Sequence, residues 1–426
     1  MFAAYHDLRR KYVFYCENKK LKLMMHALKY MQNNFTSAVH KNDSNLGLII
    51  PCDPSGVIAS RGDEAMIRVA ADFLRAKSLI PCVLTQNKIS DKELQAQGIQ
   101  PYLETDELFS ENSIKRIVQR FSSVCVLGAD VIDGHYSVIV AARQLGCFAL
   151  FSKLQMDVRL FGFSFNQNPD TRIKPFFKAV PDNKRFLLRD EISLKRLQKF
   201  LPDIADRCDI TADVAFLLKP RCSEEAKMYS DWIRTHKSQG KTVLGINLHA
   251  MYSCTVTMEN KIKWVSTVAD ALNILFSEDE NLSLLGIPHD NHFGLNNDCE
   301  CLRVLYQNIK REYWKRINII PAVLHPGEIK EIVGGCDGVI TGRMHLAIAA
   351  LGRQVPVFCF AYQGKFDGLY KHFSLNDDYV VSPADIVDVI LLKNKIKSFI
   401  MQIEEEKSKI SQKLPLVIKL AEKNIQ

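Results

Sequence analysis

Five consecutive residues, Thr341-Gly342-Arg343-Met344-His345, bring together a hydroxyl, a flexible backbone position, a guanidinium and an imidazole. An imidazole can give or take a proton near neutral pH. A guanidinium offers a planar fork that fits carboxylate or phosphate. The set therefore suits chemistry on a small anion, with Thr341, Gly342 and Arg343 binding and His345 acting as general acid or base. Such residues need a rigid support. Gly338-Val339-Ile340 reads as a buried parallel strand that ends at Thr341-Gly342. Small and apolar residues from Met344 to Leu351 favour a helix, Gly352 stops it, and Val355–Phe360 is the next strand. Arg343 and His345 then sit at a helix start, where unsatisfied N–H groups attract anions.

Other candidates fall at strand ends. Gly128-Ala129-Asp130-Val131-Ile132-Asp133-Gly134 follows the apolar run Val124–Leu127. Ligands bind there in doubly wound sheets, so Asp130 and Asp133 are equivalent candidates for accepting or orienting a hydroxyl proton. His289-Asp290 tips the run Leu282–Pro288 in the same way, and His289 could face a ligand. Ser60-Arg61-Gly62-Asp63-Glu64 opens a helix, and its acids suit the positive helix end.

The wider pattern alternates buried apolar runs with polar helical stretches, from Leu46–Pro51 through Pro81–Leu84 and Val124–Leu127, and again from Val243–Leu248. That alternation predicts α/β architecture: two Rossmann-like, doubly wound domains facing across a cleft. The expected divisions are a basic helical segment over 1–45, domains over 46–217 and 218–381, and closing helices over 382–426 that could pack back on the first domain. In the first segment Leu21, Met24, Met25, Leu28 and Met31 share one helical face. Packing on its own domain is the plain reading of that helix, and a peripheral contact with an anionic membrane is the sharper one.

Composition narrows the class. The 426 residues are 47% hydrophobic and 24% charged, as in ordinary globular proteins. A net charge of +8 favours anionic ligands, but no basic cluster is interleaved with stacking aromatics, which argues against nucleic acid. Twelve cysteines are scattered singly, which predicts reduced thiols and neither a disulfide frame nor a metal site. No apolar run approaches the ~18 residues of a membrane span, and no signal-peptide core opens the chain. The expected location is the cytoplasm, extending to the inner face of the membrane if the first helix holds there.

Thr341–His345, the Leu-Gly-x-x-Val-Pro-Val rise over Leu351–Val357 and Tyr362-Gln363-Gly364-Lys365 resemble the signature of the polysaccharide pyruvyl transferases. Gly62-Asp63-Glu64-Ala65, Arg189-Asp190 with Ser193, and Thr211–Phe216 are similar to that family's further steps, although Gly56 alone remains of its first glycine-rich loop and Ala129-Asp130 replaces glycines in a second. The resemblance implies a GT-B-like fold and transfer of the enolpyruvyl unit of phosphoenolpyruvate onto a sugar as a ketal, with phosphate released. It also implies that Arg189 joins Arg343 on the anionic donor and adds Lys365 to the binding residues. No metal or cofactor is implied; the partners are phosphoenolpyruvate and a sugar acceptor that is a glycan, lipid-linked or nucleotide-linked, in cell-envelope polysaccharide synthesis. A GT-B glycosyltransferase using a nucleotide-sugar is the alternative, and a non-catalytic partner protein on the same scaffold is a third class.

Overall fold

The computed structural model describes residues 2–35, 44–86, 88–104, 109–249, 258–290, 297–361, 364 and 366–426. Two units divide the chain, one from residues 1–57, 67–212 and 423–426 and one from 58–66 and 213–422.

In the first unit the short apolar runs become strands β1 (Leu46–Ile50), β2 (Ile80–Thr85), β3 (Gln100–Leu103), β4 (Ser123–Val126) and β5 (Asp157–Leu160). They pair in parallel in the order β3-β2-β1-β4-β5. β4 is buried along its whole length, as a strand covered on both faces must be. A two-stranded parallel ribbon, β6 (Phe186–Leu188) with β7 (Cys208–Ile210), follows. The apolar run 160–165 does not continue β5. Instead the Gly162 N–H donates to Asn424 Oδ1 at 2.7 Å, and Phe163 bridges singly to Ala129 and Leu188. A Cβ on Gly162 would lie 2.6 Å from Thr211 Cγ2, so only glycine allows this crossing.

The long helix Phe2–Asn34 packs on helix Val138–Lys153 through Leu21, Met24, Leu28 and Met31, all buried. Burying such side chains contributes on the order of 1.5–3 kcal/mol each. Helix 138–153 is capped by Ser137 and buried on nearly every side, which explains its unbroken apolar sequence. No disulfide joins any described cysteine, and eight of them are buried, where the low dielectric pushes Cys125 and Cys147 up to about 12. Among the described residues no helix is long and apolar enough to cross a membrane.

The second unit holds β8 (Thr242–Asn247), β9 (Leu282–Gly286), β10 (Ile317–Ile319), β11 (Gly338–Thr341), β12 (Val357–Phe360) and β13 (Val380–Val381). All pair in parallel in the order β10-β9-β8-β11-β12-β13. The order reverses between β8 and β11, the switch point at whose carboxyl ends such sheets bind their ligands. Those ends are in register: Thr341 lies opposite Asn247.

The units cut the chain differently from continuous domains over 46–217 and 218–381. Segment 58–66 goes with the second unit because Ser60 bridges to Asp290 and the Arg61 N–H donates to His289 O at 3.1 Å. The closing helices, Val389–Met401 and Ile403–Glu422, also belong there, and only Lys423–Gln426 go with the first unit. These helices part at Gln402, whereas Pro415 is carried inside the second.

One buried lysine fastens the second unit internally. Lys330, on helix Pro326–Val333, is 3% exposed and donates to Phe216 O at 2.8 Å. Burial, helped by Arg353, lowers its pKa to about 8. The folded protein thus releases this proton near pH 8, the unfolded chain near 10.5. Between those values the unfolded state binds the extra proton, so raising the pH favours folding through this group. Urea midpoints of the native protein and Lys330→Met, compared from pH 7.5 to 10, should show a gain with pH in the native protein relative to the variant. Parallel curves would refute it.

Candidate functional site

The carboxyl ends of β8, β9 and β11 converge on one buried ion-pair network in the second unit. At its centre Asp298, fully buried at the start of helix Asp298–Asn308, accepts from Arg343 Nη2 at 2.7 Å and Nε at 3.1 Å through Oδ1. Its Oδ2 accepts from Asn247 Nδ2 at 2.8 Å and from the His289 N–H at 3.0 Å. Arg343 Nη1 lies 3.1 Å from Asp290 Oδ2, so one guanidinium faces two carboxylates. Burial pushes Asp298 up from the ordinary carboxylate range, and the Arg343 charge and hydrogen bonds only partly pull it back.

The turn that carries Arg343 is fixed from below. The Arg343 N–H donates to Thr341 Oγ1 at 2.9 Å, and Thr341 Oγ1 lies 3.4 Å from Asn247 Oδ1. A Cβ on Gly342 would stand 2.9 Å from His249 Cβ, so the turn needs glycine for close approach. Helix Met344–Leu351 then begins with no side-chain cap, a helix start of the kind that attracts anions.

His345 occupies the first turn of that helix. Its Nε2 is buried without a hydrogen-bond partner and lies 3.5 Å from Asp213 Oδ2. Asp213 is held by the Ala215 N–H at 2.9 Å, at the cap of the short turn Val214–Leu217. On its other side the ring lies against Gly62, where any Cβ would overlap it. Arg61 is also buried; it pairs with Glu64, donates to Val323 O at 2.8 Å, and leaves Nε without a partner. His289 sits among these groups. Burial first, then the charges of His345 and Arg343, hold its pKa well below the ordinary histidine value, so it is a neutral imidazole.

The structure therefore gathers Thr341, Gly342, Arg343, His345 and His289 in one place. Asp133 and Asp130 belong to the first unit. Asp133 is buried and accepts from the N–H groups of His135 at 2.8 Å and Asn166 at 2.7 Å, tying one loop to the next. Burial, resisted by those bonds, brings its pKa up to about 6. Asp130 is more open to solvent. Arg189, 4% exposed and in the first unit, donates through Nη2 to Ser164 Oγ at 2.8 Å and through Nε at 3.1 Å. Lys365 lies outside the described residues. Among the described residues no three or more His, Cys, Asp or Glu are grouped as metal ligands.

Asp298, Asn247, Arg61 and the pairing of Asp213 with His345 were not singled out by sequence reasoning. The available signal was weak: an acid at the first position of the helix after β9, and an asparagine in place of an apolar residue at the end of β8.

The two parallel, doubly wound sheets define a GT-B-like fold with two Rossmann-like units. Among solved structures it resembles a glycosyltransferase from Rickettsia africae (TM-score 0.54, 11% identity, 90% of this chain and 99% of that one). It also resembles S. aureus MnaA with UDP (0.55, 13%, 86% and 91%) and the UDP-GlcNAc 2-epimerase of Neisseria meningitidis bound to UDP-GlcNAc (0.52, 12%, 89% and 97%). At such identity these likenesses establish the fold. The family model for polysaccharide pyruvyl transferase matches residues 61–364, and the chain belongs to that family. No functionally curated protein matches the chain.

Removing one partner of a buried ion pair strands the other. Asp298→Ala should lower unfolding stability by about 3–5 kcal/mol, whereas Asp298→Ala with Arg343→Leu should recover part of that loss. Urea unfolding of the single and double variants measures the coupling, and simple additivity would show that the pair is not coupled.

Proposed function

We propose that the β8–β11 switch point binds phosphoenolpyruvate and that this transferase moves its enolpyruvyl unit onto two hydroxyls of a sugar. The observation that carries the reading is His345: a buried imidazole nitrogen with no partner, at an uncapped helix start, facing Asp213. The first N–H groups of that helix and Arg61 Nε supply donors for the carboxylate and phosphate. Arg343 shapes the seat from beneath, its fork taken by Asp290 and Asp298.

In the reaction His345 delivers a proton to the methylene carbon, which becomes the methyl group while C2 turns electrophilic. One sugar hydroxyl adds to C2, the bond from C2 to the phosphate oxygen breaks, and the second hydroxyl closes the ketal. Of the two hydroxyl protons released, one restores the acid and the other leaves with phosphate. Asp213 orients the ring throughout, and neutral His289 can donate or accept a hydrogen bond without adding charge. Acid–base help of this kind contributes about 10²–10⁴-fold.

A nucleotide-sugar donor is less well suited, because the carboxylates nearest the switch point, Asp290 and Asp298, face Arg343 instead of a ribose. The sugar acceptor belongs to a polysaccharide or its precursor, in keeping with the family.

Ligand-dependent melting and phosphate release test the reading together. At a hundredfold excess over Kd a ligand adds about 2.7 kcal/mol to folded-state stability. Phosphoenolpyruvate should therefore raise the midpoint by a few degrees, more than inorganic phosphate at equal ionic strength. His345→Ala should keep that shift yet lose about 10²–10⁴-fold in acceptor-dependent phosphate release. Stabilisation by a UDP- or GDP-sugar, with none by phosphoenolpyruvate, would replace this reading by a glycosyltransferase.

A further inference from the structure

We propose that the first unit carries a binding face for anionic phospholipid headgroups, built from helix Phe2–Asn34 and the segment around Phe176. A groove of about 510 Å³ runs between them. Its floor is apolar, formed by Leu21, Met25 and Phe176, and Lys22, His26 and Lys29 stand on its helical rim. Lys22, His26 and Lys29 are exposed and fall three or four positions apart, on one stripe. Arg172 also borders the groove, but Asp170 and Glu17 pair with it at 2.6 and 2.9 Å. The helical lysines thus supply the positive rim.

Charge and aromatic placement select the occupant. Helix 2–34 contains seven Lys or Arg and two Asp or Glu, a balance of +5 within a chain of +8. One to three turns before the groove, Tyr12, Phe14 and Tyr15 are 69%, 54% and 66% exposed. Exposed aromatic rings beside lysines match a bilayer interface, where rings sit at headgroup level and cations meet lipid phosphates. A soluble phosphate ester would use the lysines but has no need of the aromatic rings or the apolar floor. The buried stripe of the same helix, Leu21, Met24, Leu28 and Met31, holds on the unit, so the face is presented on a fixed support.

Flotation of this chain with vesicles of phosphatidylcholine alone, and with vesicles rich in phosphatidylglycerol, tests this. Binding should require the anionic lipid and weaken in high salt, as screening shortens the reach of the lysines. Lys22→Glu with Lys29→Glu should reduce it by about tenfold or more, since each lysine near such a surface contributes several-fold. Tyr12→Ser with Tyr15→Ser should reduce the part that survives high salt. All these positions are exposed, and an unchanged melting midpoint confirms folding. Equal partition onto both vesicle types, or anionic binding unaltered by the lysine reversals, overturns the proposal. Displacement by millimolar-range glycerol phosphate at constant ionic strength would assign the groove to a soluble phosphate instead, as would binding to polyglutamate but not vesicles to an acidic protein.

Discussion

The second unit depends on one buried charge pair. Asp298 has no exposed surface, and an ionised carboxylate in that position is tolerated only if cations and N–H donors replace its lost hydration. Arg343, Asn247 and the His289 backbone do so, and each comes from the end of a different strand. The pair therefore fixes the distance between the ends of β8, β9 and β11. It also pins the Gly342–Arg343 turn, from which helix 344–351 and His345 depart. A guanidinium that looks ligand-directed in the sequence is here a structural centre, and the His345 imidazole inherits its position from it.

Two glycines make this geometry possible by what they lack. Gly342 lets the turn pass against His249, and Gly62 leaves the space filled by the His345 ring. Position 62 lies in a segment that departs from the second unit and rejoins the first at residue 67. The first turn of the helix beginning at Arg61 shapes the imidazole pocket.

The strands were legible because parallel strands buried on both faces are written as continuous apolar runs, and the turn at Thr341-Gly342 marks its own end. The helix start at His345 was legible for the same reason. What remained hidden was pairing. Nothing local in Asn297-Asp298 distinguishes a buried counter-ion from an ordinary helix cap, since both place an acid in a first turn. Likewise the apolar run around Phe163 reads as a strand, yet it makes only two isolated bridges, to Ala129 and Leu188, beside a bond from the Gly162 N–H to Asn424, far along the chain. Asp133 shows the converse: a strand-end carboxylate of the right type whose oxygens are already engaged by loop N–H groups. Residue type and position narrow the candidates, but hydrogen-bond supply decides among them.

That supply also bears on how a proton can reach carbon in such a site. Protonating a weakly basic methylene group requires an acid that is not spending its hydrogen on the protein. Arg343, Glu64 and Asp298 all have strong partners at short range, and burial, with its charged neighbours, keeps His289 neutral. His345 differs: Nε2 is shielded from solvent, Asp213 lies just beyond a good hydrogen bond, and no other described group satisfies it. A buried polar atom left without a partner normally costs about 1–3 kcal/mol. Folding tolerates that cost here at both His345 Nε2 and Arg61 Nε, and the proton transfer proposed for His345 gives a reason to carry it.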